Sequence, residues 1–227
     1  MNQTKIQYKG LLNILRLGSN ESSLLVLMND YYFPVSNLLQ FAEQLSLNHS
    51  VLYVESNSFG NESMTYNQVF GELQEAFLKH LDFPKTTIIS LGYSSTFLLN
   101  LFQENYTIHK GILLDPLLPS TISLETNLMN FSSWWMKQVT PLDALLKIPM
   151  LAEFWESYRS RSLLLESQEQ NYPIQFLLTD EFSKLKPYLL NSNISKFKVH
   201  RVNDLNKKFF FLNDSNFFFI NWLINSP

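Results

Sequence analysis

The chain has 227 residues, enough for one large α/β domain or two small ones. Its 45% hydrophobic and 15% aromatic content excludes a mostly disordered protein. With 16% charged residues and a formal net charge of −3 there is no basic surplus to neutralise phosphates, so nucleic acid is not an expected partner. The absence of cysteine excludes disulfides, thiolate metal ligands and a cysteine nucleophile.

Met1 to Lys9 is polar and lacks the apolar run of a secretory signal. Unbroken apolar runs stop at four to six residues, against the roughly 20 that span a bilayer. The expectation is a cytoplasmic protein with no membrane span. Lys5 to Tyr8 and Leu11 to Leu17 flank Gly10 and suit two antiparallel edge strands. Ser23 to Met28 (SLLVLM) is a short continuous apolar run, the pattern of a strand buried on both faces of a parallel sheet. Val35 to Leu47 follows with apolar residues at helical spacing, and Val51 to Val54 (VLYV) is a second buried strand. Asn57 to Ser63 is a polar loop. Tyr66 to Leu81 then places Val69, Leu73, Ala76, Phe77 and Leu81 on one helical stripe. Thr87 to Leu91 is a third strand, Ser95 to Phe102 an apolar helix, and Gly111 to Leu114 a fourth strand ending at Asp115-Pro116.

This alternation predicts an α/β protein with a mostly parallel central sheet flanked by helices. Residues 117–172 break the rhythm. They carry Trp134, Trp135, Pro141, Pro149 and Trp155 and read as a helical cap inserted between 1–116 and 173–227, which together form one core. The rhythm returns with a strand at Pro173 to Leu178, a helix near Lys184 to Asn191, a last strand at Lys196 to Val202 and a last helix at Asn216 to Ile224.

Six glycines stand at 10, 18, 60, 71, 92 and 111, too dispersed for a GxGxxG or a phosphate loop. The four histidines, His49, His80, His109 and His200, have no metal-ligand spacing. No cofactor and no metal are expected.

The segment with chemistry in it is Ile88-Ile89-Ser90-Leu91-Gly92-Tyr93-Ser94-Ser95-Thr96. A buried strand runs through Gly92 into a serine and then an apolar helix, the setting of a nucleophile elbow. That geometry exposes the Ser94 hydroxyl at the carboxyl edge of the sheet. The alternative is an ordinary Ser-rich turn in which Ser95 caps the helix.

From these segments the chain resembles the α/β-hydrolase superfamily over nearly its whole length. Leu24 to Met28 ends in Asn29-Asp30, Val51 to Val54 is followed by Glu55 and the Gly60-Asn61-Glu62-Ser63 loop, and Ile112 to Pro116 follows the elbow. The resemblance implies Ser94 as nucleophile. It implies oxyanion donors at the Ser95 amide and near Asp30 or Tyr31, and a pocket drawn from Asn29, Asp30, Tyr93, Trp134 and Trp135. The aromatic cap residues equally read as packing of cap on core. The acid would be Asp180, beside Glu181, with Asp115 as a second candidate; Asp180 and Glu181 also suit the cap of a following helix. The position matching the family histidine is Lys208, next to Lys207, either a Ser-Lys base or a solvated pair. His200 lies inside the last predicted strand, as a strand-face residue or an unconventional base.

Thus three family positions differ: the histidine, the oxyanion glycine (Asp30) and the second elbow glycine (Thr96). Two functions follow. One is a serine hydrolase acting on a small ester, thioester or amide through Ser94. The other is a non-catalytic pseudo-hydrolase that binds a ligand or a protein partner.

Overall fold

A computed structural model of the chain describes residues 4–6, 12–18, 24–30, 37–56, 66–80, 85–104, 106, 108–116, 173–179, 198–202 and 214–226. The elements in order are β1 (Thr4–Ile6), β2 (Leu12–Leu17), β3 (Leu24–Met28), α1 (Leu38–Leu45), β4 (Ser50–Ser56), α2 (Tyr66–His80), β5 (Thr86–Leu91), a 3₁₀ turn (Gly92–Ser94), α3 (Ser95–Gln103), β6 (Lys110–Leu114), β7 (Ile174–Thr179), β8 (Lys198–Val202) and α4 (Asp214–Asn225). The cap segment 117–172 and the helix expected near Lys184 to Asn191 lie outside the described residues.

The described strands form one sheet in the order β1-β2-β4-β3-β5-β6-β7-β8. β3 to β8 pair in parallel, while β2 is antiparallel to both β1 and β4. The expected α/β architecture, including the antiparallel pair around Gly10, is therefore present. The strands are apolar without alternation because helices cover both faces of the parallel part; every residue of β5 and β6 is buried.

One face is closed by α1 and α4. Leu38, Phe41, Ala42 and Leu45 fall on a single stripe of α1, and Ile220, Leu223 and Ile224 do the same on α4. Together they bury Leu25, Leu27, Val51, Tyr53, Ile89, Leu91, Ile112, Leu114 and Leu177. Each such side chain contributes about 1.5–3 kcal/mol of transfer free energy. The opposite face carries α2 and α3, where Phe70 stacks on Phe97 at 6.3 Å between ring centroids. α3 approaches β6 closely because position 111 has no side chain: a Cβ there would meet Leu98 Cδ2 at 3.1 Å and Phe102 Cε2 at 3.2 Å.

This arrangement sets the topological switch point of the sheet. β3 hands the chain to α1 on one face, and its neighbour β5 hands it to α3 on the other. Adjacent strands whose helices leave in opposite directions open a crevice beyond their carboxyl ends. Among the described residues no helix is long and apolar enough to cross a membrane.

Candidate functional site

The β3 and β5 ladders set the level of each residue in this crevice. Met28 is paired with Ser90 and with Val54, and Leu91 with Leu114. Asn29 therefore stands level with Leu91, and Asp30 and Asp115 flank Gly92. Asn29, Asp30, Ser94, Ser95 and Asp115 are all at most 3% exposed.

The turn into α3 departs from the strained serine of a nucleophile elbow. Positive φ falls on Gly92 (+52°), while Ser94 is an ordinary right-handed residue at φ −64°, ψ −17° and is the N-cap of α3 without a side-chain cap bond. The motif implies an exposed hydroxyl, but Ser94 is only 3% exposed, and its Oγ donates to the backbone carbonyl of Asn29. Ser95 does not cap the helix either. It is the first residue of α3, fully buried, and its Oγ accepts from Ser90 Oγ at 3.3 Å.

Asp30 packs directly on this turn. A Cβ placed on Gly92 would lie 1.6 Å from Asp30 Oδ2, so the carboxylate occupies the space that only glycine leaves open. Its charge stands beside the amino end of α3, where the helix dipole favours an anion. On the other side Asp115 directly follows β6 with φ +41°, and its N–H donates to the Leu177 carbonyl at 2.9 Å.

A hydrogen-bonded row reaches the site from β4, a feature missed in the sequence. Asn29 Nδ2 donates to Tyr53 Oη at 2.9 Å, and Tyr53 donates to Glu55 Oε2 at 2.7 Å. Asn29 Oδ1 accepts the Asp30 N–H at 2.9 Å, and the Asn29 N–H extends the ladder to the Val54 carbonyl at 2.8 Å. Burial, and then the Glu55 carboxylate, push the Tyr53 phenol well above its usual range, so it remains a protonated donor. The acidic residue closing VLYV was visible in the sequence. That Tyr53 faces Asn29 depends on the β3–β4 pairing.

None of the four histidine positions, all within the described segments, stands at this edge. His49 precedes β4 at the opposite edge and its Nε2 lies 3.2 Å from Asn221 Oδ1 of α4. His109 is exposed immediately before β6, and His80 ends α2 on its return to the same amino edge. His200 lies mid-strand in β8, paired through Leu177 and Leu114 with Leu91. Three strand spacings of about 4.8 Å separate it from Leu91, roughly 14 Å. Its ring packs edge-on against Phe219 and Trp222 of α4, and Nε2 lies 3.2 Å from Gln175 Oε1. It is a residue of the sheet face, as its place in the strand suggested.

Tyr31, Trp134, Trp135, Asp180 and Lys208 lie outside the described residues, as does the side chain of Tyr93. The structure thus brings together Asn29, Asp30, Ser94, Ser95 and Asp115 and leaves His200 apart. Among the described residues no group of three or more His, Asp or Glu side chains could hold a metal ion.

No protein-family model and no curated protein matches the sequence. Solved structures do match in shape. The chain is similar to the HSL homologue EstE7 from a metagenome library, with 11% identity over 99% of this chain and 86% of that one at a TM-score of 0.67. It is similar to a carboxylesterase of the ammonia-oxidising thaumarchaeon Nitrososphaera gargenis, with 12% identity over 97% of each chain and a TM-score of 0.61. It is also similar to 1H-3-hydroxy-4-oxoquinoline 2,4-dioxygenase, with 12% identity over 98% of this chain and 100% of that one and a TM-score of 0.62. The chain has the α/β-hydrolase fold. That fold carries esterases and a dioxygenase alike, so the reaction has to be argued from the site.

Proposed function

We propose that this hydrolase-fold protein binds a small polar ligand in the crevice beyond β3 and β5 and does not use Ser94 as an activated nucleophile. The observation that carries this reading is the setting of the Ser94 hydroxyl. It donates to the Asn29 carbonyl, and no histidine stands at the carboxyl edge to take its proton. A serine hydroxyl attacks a carbonyl only when a base within hydrogen-bond reach removes that proton. Asp30 supports the same reading, because it brings a negative charge to the turn whose amides would have to stabilise an oxyanion. The ligand is a small molecule, bound through the Asn29-Asp30 turn.

A serine hydrolase is the second reading. Ser94 stands at the amino end of α3 at the fold's switch point, with the Ser95 amide beside it. In this reading Asp180 is the acid, Lys208 the base, the Tyr31 amide the second oxyanion donor, and the substrate a small ester, thioester or amide.

A fluorophosphonate separates the two. The folded protein, incubated with the probe and weighed intact, is expected to carry no adduct, and p-nitrophenyl acetate is expected to hydrolyse no faster with it than with Ser94→Ala. Stoichiometric phosphonylation that disappears in Ser94→Ala would overturn the binding reading and establish the hydrolase.

A further inference from the structure

The directions of the hydrogen bonds around Asn29 can be deduced. The Asp30 N–H can only donate, so the atom of the Asn29 amide that it meets is the oxygen. The amide nitrogen therefore faces Tyr53 and donates to Oη. The phenol hydrogen then goes to Glu55, an acceptor when ionised. The row runs one way, from Asn29 through Tyr53 to Glu55. It ends at a partly exposed carboxylate, whereas Tyr53 and Asn29 are 1% and 3% exposed. On its other side the Asn29 peptide carbonyl holds the Ser94 hydroxyl.

We propose that Tyr53 and Glu55 are positioning residues for Ser94, holding the Asn29 side chain and thereby the peptide carbonyl that accepts the Ser94 hydroxyl. Neither residue touches the serine; both act through Asn29. The row also braces Asp30, since Asn29 Oδ1 takes its amide and the Asp30 carboxylate lies on Gly92. One side chain reaching in from β4 thus sets both the strand-end turn after β3 and the serine turn after β5. A buried polar row of this kind holds its geometry only while every member keeps its partner. Its relevance to a ligand rests on the binding reading given above.

The test is amide hydrogen exchange by NMR on the full chain, in wild type, Tyr53→Phe, Glu55→Ala and Glu55→Gln. The Asp30 amide is guarded by Asn29 Oδ1, whereas the Asn29 amide belongs to the sheet ladder. In Tyr53→Phe and Glu55→Ala the Asp30 amide is expected to exchange about tenfold faster, the effect of losing roughly one hydrogen bond. The Asn29 amide is expected to stay near its wild-type rate, and the Ser94 Cβ resonance to move. Glu55→Gln keeps an acceptor for the phenol and is expected to restore both signals. An Asp30 rate and a Ser94 resonance unchanged in Tyr53→Phe would overturn the proposal. So would a parallel rise at Asn29 and Asp30, which marks general loosening. If Tyr53→Phe does not fold, the Glu55→Ala and Glu55→Gln pair decides alone. A fluorophosphonate adduct on Ser94 would remove the binding reading and leave the exchange result standing, so the two failures are distinguishable.

Discussion

Gly92 is where single atoms constrain this site most tightly. Its φ of +52° costs an L residue about 1–3 kcal/mol, and the space a Cβ needs is held by Asp30 Oδ2. Gly92→Ala is therefore expected to lower stability by more than the backbone term alone. In an Asp30→Ala background the steric part vanishes and the backbone part remains. Urea denaturation of the four proteins of this cycle should give a coupling of about 0.5–3 kcal/mol between the two positions. Additive effects would mean that the carboxylate does not rest on the turn. At this scale the sequence was partly legible. The sequence placed Asp30 and the serine turn each at the end of a strand; that they meet depends on β3 and β5 being neighbours. The capture of the Ser94 hydroxyl by a backbone carbonyl does not follow, because it depends on a side-chain rotamer and on a peptide contributed by residues 65 positions away.

Two basic groups, one buried and one half-buried, tie α4 to the sheet. Lys110, at the amino end of β6, is 4% exposed, and its ammonium donates to the carbonyls of Leu223 (2.9 Å), Ile224 (3.4 Å) and Ser226. Leu223 and Ile224 lie in the last turn of α4 and Ser226 just beyond it, where the helix dipole favours a cation. Burial, and then Lys198, push its pKa below the ordinary lysine value. Lys110→Met should cost about 1.5–3 kcal/mol in denaturant unfolding, as expected for hydrogen bonds to a charged group. His200 lies on the same face, under Phe219 and Trp222 of α4. Burial first, and the Lys198 charge second, lower its pKa below 6.5. The unfolded chain thus binds the proton at higher pH than the native one, so this contribution is intact above pH 6.5 and is lost as pH falls from there towards the folded value. His200→Gln should flatten the loss of thermal stability between pH 7 and pH 5, read by melting temperature; an unchanged slope would place the acid sensitivity elsewhere. A lysine at the start of a strand carried no signal of this role, because the helix end it caps lies 113 positions further along the chain.

The molecule as a whole is organised by one central block, β3, β5 and β6, buried on both faces and bearing the crevice at its carboxyl edge. Ile112, in the middle of β6, is fully buried in the α1/α4 core. Ile112→Ala should lose about 2–5 kcal/mol of unfolding free energy. Because the strand is continuous with the site, the far-UV and near-UV transitions should move together. Separate transitions would show that the sheet is not one cooperative unit. The sequence by itself determined the alternation of strands and helices, the parallel sheet and the place of the serine turn. Those properties are local, written in runs of apolar residues and in a single glycine, and strand interiors covered on both faces leave an unmistakable pattern. Only the tertiary structure decided which strands are neighbours, and with that which polar groups meet. The order β4-β3-β5 puts Tyr53 against Asn29 and Asp30 against Gly92. The parallel ladders hold His200 three strands away from Ser94's own strand. Hydrogen bonds and close packing act over a few ångströms between residues far apart in sequence, so the chemistry of this site is set by strand neighbours and not by motif spacing.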